Sequence, residues 1–215
     1  MDPVLRGGRQ CHSAGRQPDQ TDEYVARADH ARGQRSNRHD ATTEQSCHAR
    51  ADILALVTAT EGLPQVGQPA PDFSLASTEG RDISLADFKG KQSVVLYFYP
   101  RDDTPGCTAE ACSFRDLRNL FNEHGAEILG VSTDTVKSHK KFQDKYHLTF
   151  PLLADLDHVV ADQYGVWQQK KFMGREFMGI ARTTFVIDEN GTLKAIFPNV
   201  KVEGHADQVL AALKA

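Results

Sequence analysis

A chain of 215 residues, 40% of them hydrophobic, with a formal charge of −4, is long enough to bury one good core and gives no sign of nucleic-acid binding. No apolar run approaches the roughly 20 residues of a membrane span and the N-terminus lacks a secretory apolar stretch, so no membrane and a reducing, cytoplasmic compartment are expected. In that setting four cysteines point to redox or catalytic use rather than to a disulfide scaffold.

Residues 1–60 differ in composition from the rest. They hold no lysine, eight Arg balanced by eight Asp and Glu, and almost no apolar periodicity before Ile53. Such a stretch cannot bury enough surface to offset its ordering entropy, so it is read as a disordered extension ahead of a domain over 61–215. Its acids argue against an organelle transit peptide, the weaker alternative, and favour upstream sequence translated from a start codon assigned too early. Cys11 and Cys47 are then bystanders, and a short helix over 51–60 carries no chemistry.

From Leu63, prolines at 64, 69 and 71 set an extended entry. Phe73-Ser74-Leu75 alternates like a short strand, Glu79-Gly80 turns, and residues 81–85 return. Residues 86–90 make a loop or helical turn. The run at 94–99 is β-branched and aromatic and short enough to be a central strand, which Pro100 ends. After a polar turn at 101–106, Phe114, Leu117, Leu120 and Phe121 recur at helical spacing in a helix from Cys107 to about His124. Gly125 closes it, and 126–132 reads as a second, parallel strand. Residues 135–147 form an amphipathic helix with Val136, Phe142 and Tyr146 inward, 150–153 a short strand, and 159–164 one or two helical turns. Trp167, Phe172, Met173, Phe177 and Met178 are assigned to the core in preference to a hydrophobic rim. Strands at 183–187 and 192–197 flank Asp188-Glu189-Asn190-Gly191, a hairpin signal, and 206–214 is the last helix. Alternating strands and helices, then a hairpin and a terminal helix, imply an α/β sandwich with a mixed central sheet flanked by helices.

Cys107 falls where a strand and loop feed a helix N-terminus. Unpaired backbone N–H groups there favour an anion, and a thiolate so placed is a nucleophile at neutral pH. Cys112 follows five residues later on the same helix, where α-carbons stand roughly 8–9 Å apart. A disulfide needs them within about 7 Å, so the two can react with each other only if the first turns unwind. The C-x-x-x-x-C spacing differs from the C-x-x-C of thioredoxin-type sites and most zinc knuckles, and no nearby His or Cys completes a metal site.

Pro100-x-x-x-Thr104-x-x-Cys107 resembles the active-site signature of the peroxiredoxins. Cys107-Thr108-Ala109-Glu110-Ala111-Cys112 resembles the variant of the peroxiredoxin Q, or bacterioferritin comigratory protein, subfamily. The similarity runs from about Leu63 to the C-terminus. It takes in Gly67-Gln68-Pro69-Ala70-Pro71-Asp72-Phe73, the stretch Met178-Gly179-Ile180-Ala181-Arg182-Thr183-Thr184, and Gly204-His205-Ala206. The resemblance implies a thioredoxin-like fold with the early hairpin as an N-terminal addition. It also implies a thiol peroxidase for hydrogen peroxide and organic hydroperoxides, without a cofactor, as a monomer or weak dimer.

Peroxide reduction needs an activated sulfur and donors aimed at both oxygens. Cys107 supplies the sulfur. Thr104 offers its hydroxyl or, as the bland reading, a helix N-cap. Pro100 ends the strand and shields the pocket. Arg182, matched to the family's active-site arginine by resemblance alone, stabilises the thiolate, with Glu110 to orient it. Together with the resemblance, the spacing implies that Cys112 resolves the sulfenic acid of Cys107 as an intramolecular disulfide, reduced in turn by a thioredoxin- or glutaredoxin-type partner. Two other classes stay open at this point: thiol-disulfide exchange on the same fold, and a redox-sensing or chaperone-like binding module.

Overall fold

The apolar run at 94–99 sits at the middle of the fold. A computed structural model of the chain describes residues 62–172 and 174–214; the extension expected over 1–60 lies outside them. In chain order the elements are β1 (Ser74–Ser77), β2 (Asp82–Ser84), a 3-10 turn (Leu85–Asp87), β3 (Ser93–Phe98), α1 (Pro105–Asp116), α2 (Arg118–Glu123), β4 (Ala126–Ser132) and α3 (Val136–Tyr146). There follow β5 (Leu152–Ala154), α4 (Val159–Gln163), β6 (Trp167–Phe172), β7 (Arg175–Ile180), β8 (Thr183–Ile187), β9 (Leu193–Phe197) and α5 (His205–Lys214).

Among the described residues seven strands form one mixed sheet in the order β2-β1-β5-β4-β3-β8-β9. β3, β4 and β5 run parallel, while β8 lies antiparallel to β3. The early hairpin joins this sheet at its edge, β1 pairing antiparallel with β5. Strand alternation sorts β3 between two cores. Val94, Leu96 and Phe98 pack with Phe185, Val131 and Tyr164 on one face. Val95 and Tyr97 pack on the other with Cys107, Phe114, Phe121, Phe142 and Val209 from the helices. Each large side chain buried this way stabilises the fold by about 1.5–3 kcal/mol, which is why a run with no polar residue becomes a central strand. Gly130 on β4 faces Tyr97 across the ladder, and a Cβ there would stand 2.7 Å from the phenol oxygen. Only hydrogen fits.

Three expectations need correction. The helix read over 107–124 is two helices, because Leu117 leaves helical dihedrals at φ −97°, ψ 4° and its N–H turns back to the Ser113 and Arg115 carbonyls. The buried residues of α3 are His139 and Phe142; Tyr146, partly buried, packs against the same core as expected, whereas Val136 is only partly buried and His139 was not expected. The segment assigned to the core between 167 and 180 is a separate antiparallel hairpin, β6–β7, reversing at Gly174 with φ +80°. Among the described residues no second layer covers its outer face, and Phe177 and Met178 are each 49% exposed, while Trp167 tucks against the core. No helix among the described residues is long and apolar enough to cross a membrane.

Candidate active site

The parallel strands deliver their C-terminal ends to one edge of the sheet, and the loop after β3 opens there into α1. Pro105 takes the first helical position, where its missing N–H costs nothing, and the first helical bond runs from the Thr108 N–H to the Thr104 carbonyl at 2.8 Å. The N–H groups of Gly106 and Cys107 precede that ladder and have no intrahelical acceptor. They converge on the start of α1 with the positive end of its dipole. Cys107 is a free thiol, 1% exposed, in an intact helical turn.

The sheet brings the cation. Phe98, the last residue of β3, pairs with Thr183, the first of β8, so Arg182 comes to lie beside the loop that leaves β3. Its Nη2 donates to the Cys107 sulfur at 3.1 Å, and its Nη1 to Glu110 Oε2. The guanidinium passes close over Gly106, where a Cβ would meet Nη2 at 3.4 Å. Burial works against the Arg182 charge, but Glu110 and the Cys107 sulfur outweigh it and hold the group protonated. Burial likewise pushes the Glu110 carboxyl up to about 7, against the pull of Arg182. Glu110 Oε1 and the Tyr97 hydroxyl, both buried, have no hydrogen-bond partner among the described residues. Burial first, then the negative charge of Glu110 and Cys107, keeps Tyr97 protonated well past the ordinary phenol range.

Cys107, Arg182 and Glu110 therefore form one cluster built from residues as much as 75 positions apart. Thr104 occupies the N-cap position of α1, but its hydroxyl makes no cap bond and instead donates to the Arg101 carbonyl at 3.2 Å. Pro100 lies exposed just past the end of β3. Cys112 is buried one and a half turns along α1 from Cys107, 3% exposed, with the helix continuous between them, and it is disulfide-bonded while Cys107 is not, so the structure does not hold the Cys107–Cys112 pair expected from the sequence. No group of three His, Cys, Asp or Glu able to hold a metal ion occurs among the described residues.

Lys170 was not singled out from the sequence. Its ammonium donates to the Ile180 carbonyl, two residues before Arg182. Burial and then repulsion by Arg182 lower its pKa, and the Cys107 sulfur opposes them. The only available signal was the turn residue Gly174, because residues 167–172, W-Q-Q-K-K-F, do not alternate and carry no strand pattern. Also missed was a buried cluster of Tyr99, Asp102 and His139 behind the loop, taken up below. A lone histidine on a helix gives no hint of its partners.

Comparisons with known proteins give the family. The AhpC/TSA family matches residues 66–196. The chain is 52% identical over 149 residues to a putative peroxiredoxin Bcp of Coxiella burnetii, covering 69% of this chain and 98% of that one. It is 48% identical over 150 residues to peroxiredoxin Bcp of Bacillus subtilis, covering 70% and 95%. Among solved structures, Xanthomonas campestris peroxiredoxin Q superposes with a TM-score of 0.63 at 42% identity, over 66% of this chain and 89% of that one. A second Xanthomonas campestris structure, a bacterioferritin comigratory protein described for its alkyl peroxide reduction activity, gives a TM-score of 0.65 at 39% identity, over 70% and 98%. The chain thus belongs to the AhpC/TSA family, in its peroxiredoxin Q or Bcp branch, and is a thioredoxin-fold thiol peroxidase, an antioxidant oxidoreductase that acts on peroxide at the expense of a thiol reductant.

Proposed function

We propose that Cys107 is the peroxidatic residue and Cys112 the resolving one, in a cycle that reduces hydrogen peroxide and organic hydroperoxides and is restored by thioredoxin or a glutaredoxin-type donor. The observation that carries the reading is the Arg182 guanidinium donating to the Cys107 sulfur at the mouth of α1. A charge-assisted donor and the first N–H groups of a helix both favour sulfur as the thiolate. The thiolate attacks one oxygen of the peroxide; a sulfur–oxygen bond forms, the O–O bond breaks, and the departing oxygen leaves with the electron pair and takes up a proton. Cys107 becomes a sulfenic acid and water or an alcohol is released. Arg182 and the Gly106 and Cys107 N–H groups are the donors on hand for charge on the oxygens, with the Thr104 hydroxyl turning from Arg101 towards the peroxide and Pro100 screening the loop.

Cys112, once reduced from the disulfide it holds in this structure, then condenses as a thiol with the sulfenic acid, forming the Cys107–Cys112 disulfide and expelling water. Four residues of continuous helix separate the two cysteines, so this step requires the first turns of α1 to unwind. A dithiol donor reduces the disulfide by exchange and leaves oxidised itself. The alkyl peroxide activity described for the Xanthomonas campestris relative supports including organic hydroperoxides. We place the enzyme in the cytoplasm, as a monomer or weak dimer.

The test is stopped-flow reaction of the reduced protein with hydrogen peroxide, followed by Trp167 fluorescence, with disulfide mapping by mass spectrometry. Rapid reaction, far above an ordinary thiol, and a Cys107–Cys112 link are expected. Cys107→Ser should abolish turnover, while Cys112→Ser should consume one equivalent of peroxide and accumulate sulfenic acid. Slow reaction, or a link through Cys11 or Cys47, would move the reading to disulfide exchange. Normal cycling of Cys112→Ser with thioredoxin would end its resolving role.

A further inference from the structure

Behind the loop that carries Thr104 lies a buried charged network that the peroxide chemistry does not use. His139, on α3, is fully buried, and its Nδ1 stands 3.0 Å from each carboxylate oxygen of Asp102. Its Nε2 faces the Leu153 carbonyl of β5 at 3.1 Å. The ring is thus held at both nitrogens, with the Tyr99 hydroxyl also 3.3 Å from Nδ1. The Tyr99 hydroxyl donates to the same carboxylate at 2.8 Å. Burial alone would raise the Asp102 carboxyl, but the hydrogen bond and charge of His139 outweigh it and keep it below the ordinary range.

The backbone of Asp102 is held as well. Its N–H donates to Asp134 Oδ2 at 2.8 Å, and that oxygen also accepts from the Ser132 hydroxyl at 2.9 Å. One loop residue is thus tied to the ends of β3, β4 and β5 and to α3. Asp103, next in the chain, sits in the left-handed region at φ 56° and is latched outside by Lys145 at 2.6 Å and by the Tyr146 hydroxyl at 2.6 Å. A non-glycine residue holds such a conformation only where its surroundings impose it. The chain therefore leaves this double latch in one direction, and Thr104, Pro105 and the first turn of α1 follow.

We propose that Asp102, through its bonds to His139 and Tyr99, is a positioning residue for peroxide reduction, setting where Thr104 and the first N–H groups of α1 stand relative to the Cys107 sulfur. The proposal rests on the peroxidase reading above. Donors to a reacting oxygen must be held to within a fraction of an ångström, and misplacing them by about 1 Å can cost on the order of 100-fold in rate. The thiolate depends on the latch far less than the reacting oxygens do, because Arg182 reaches the sulfur from β8 on the other side and keeps its bond when the N–H groups shift.

The reduced full-length protein is compared with Asp102→Ala, Asp102→Asn and Tyr99→Phe in two measurements. One is the stopped-flow rate constant with hydrogen peroxide; the other is the pH titration of thiolate absorbance in the ultraviolet, taken as the difference from each matching Cys107→Ser protein. For Asp102→Ala the peroxide rate should fall on the order of 100-fold while the thiolate titration stays in place. Asp102→Asn keeps an acceptor for Tyr99 and His139 and should recover most of the rate. Tyr99→Phe removes only a hydroxyl, covers the case in which Asp102→Ala does not fold, and should lose several-fold. A thiolate titration that shifts enough to account for the rate loss, or peroxide rates unchanged in the folded variants, overturns the proposal. If the unsubstituted protein reacts no faster than a free thiol, the peroxidase reading falls first and this proposal with it.

Discussion

Glu110→Gln isolates the buried carboxyl whose ionisation the fold resists. Burial pushes Glu110 up to about 7 from its ordinary 4.5, against the charge and hydrogen bond of Arg182. Between those two values the native protein keeps a proton that the unfolded chain has lost, so this group's contribution to stability is complete below pH 4.5 and is lost as pH rises through 7. At about 1.4 kcal/mol per pH unit the window corresponds to about 3 kcal/mol. His205 works in the opposite sense. Burial and then the Arg182 charge push it down to about 4 from 6.5, so its contribution is present above pH 6.5 and is lost as pH falls through 4. The two slopes nearly cancel in the unsubstituted protein. Glutamine mimics the neutral acid, still accepts from Arg182, and removes only the falling slope. Urea denaturation of both reduced proteins at steps between pH 4.5 and 8 should then show near-equal stabilities at the acid end. Towards neutrality the variant should gain about 3 kcal/mol over the parent. A difference that stays constant across pH would mean that Arg182 keeps Glu110 ionised throughout, and would refute the reasoning.

Four other substitutions, at three positions, test separate parts of the structure. Arg182→Met removes the donor to the sulfur and should lower the peroxide rate constant by about 100-fold or more in stopped flow. Arg182→Lys should restore little, because a single ammonium cannot serve the sulfur and Glu110 from two fixed nitrogens. Gly130→Ala would bring a methyl to 2.7 Å from both Leu152 and Tyr97, and thermal denaturation should show a loss of about 1–3 kcal/mol. Asp155 is buried and accepts from the Val160 and Ala161 N–H groups at 3.2 and 2.8 Å, capping α4. Asp155→Ala should therefore cost about 1–3 kcal/mol in denaturant unfolding while the peroxide rate stays the same.

What the sequence determined by itself was the part of the protein governed by local pattern. The strand at 94–99 and the one at 126–132, the cysteine at a helix start and the hairpin around Asp188 to Gly191 all follow from periodicity and turn chemistry, which act between neighbours in the chain. The split of the 107–124 helix at Leu117 was not legible, since one residue leaving helical dihedrals does not disturb an apolar repeat. Phe177 and Met178 carry the hydrophobicity of core residues, and only the tertiary arrangement of the described residues leaves β6–β7 without a layer above it. The cation is the sharpest case. Nothing local distinguishes Arg182 from a solvated arginine; its place beside Cys107 follows from the antiparallel register of β8 on β3, and from the sequence it was reached only through family resemblance. His139 carried no such resemblance. Its pairing with Asp102 and Leu153 depends on α3 lying across the ends of β3 and β5, a relation among residues 37 and 14 positions apart that no sequence window contains. Charges and hydrogen bonds act through space, and only the packed sheet decides which of them meet.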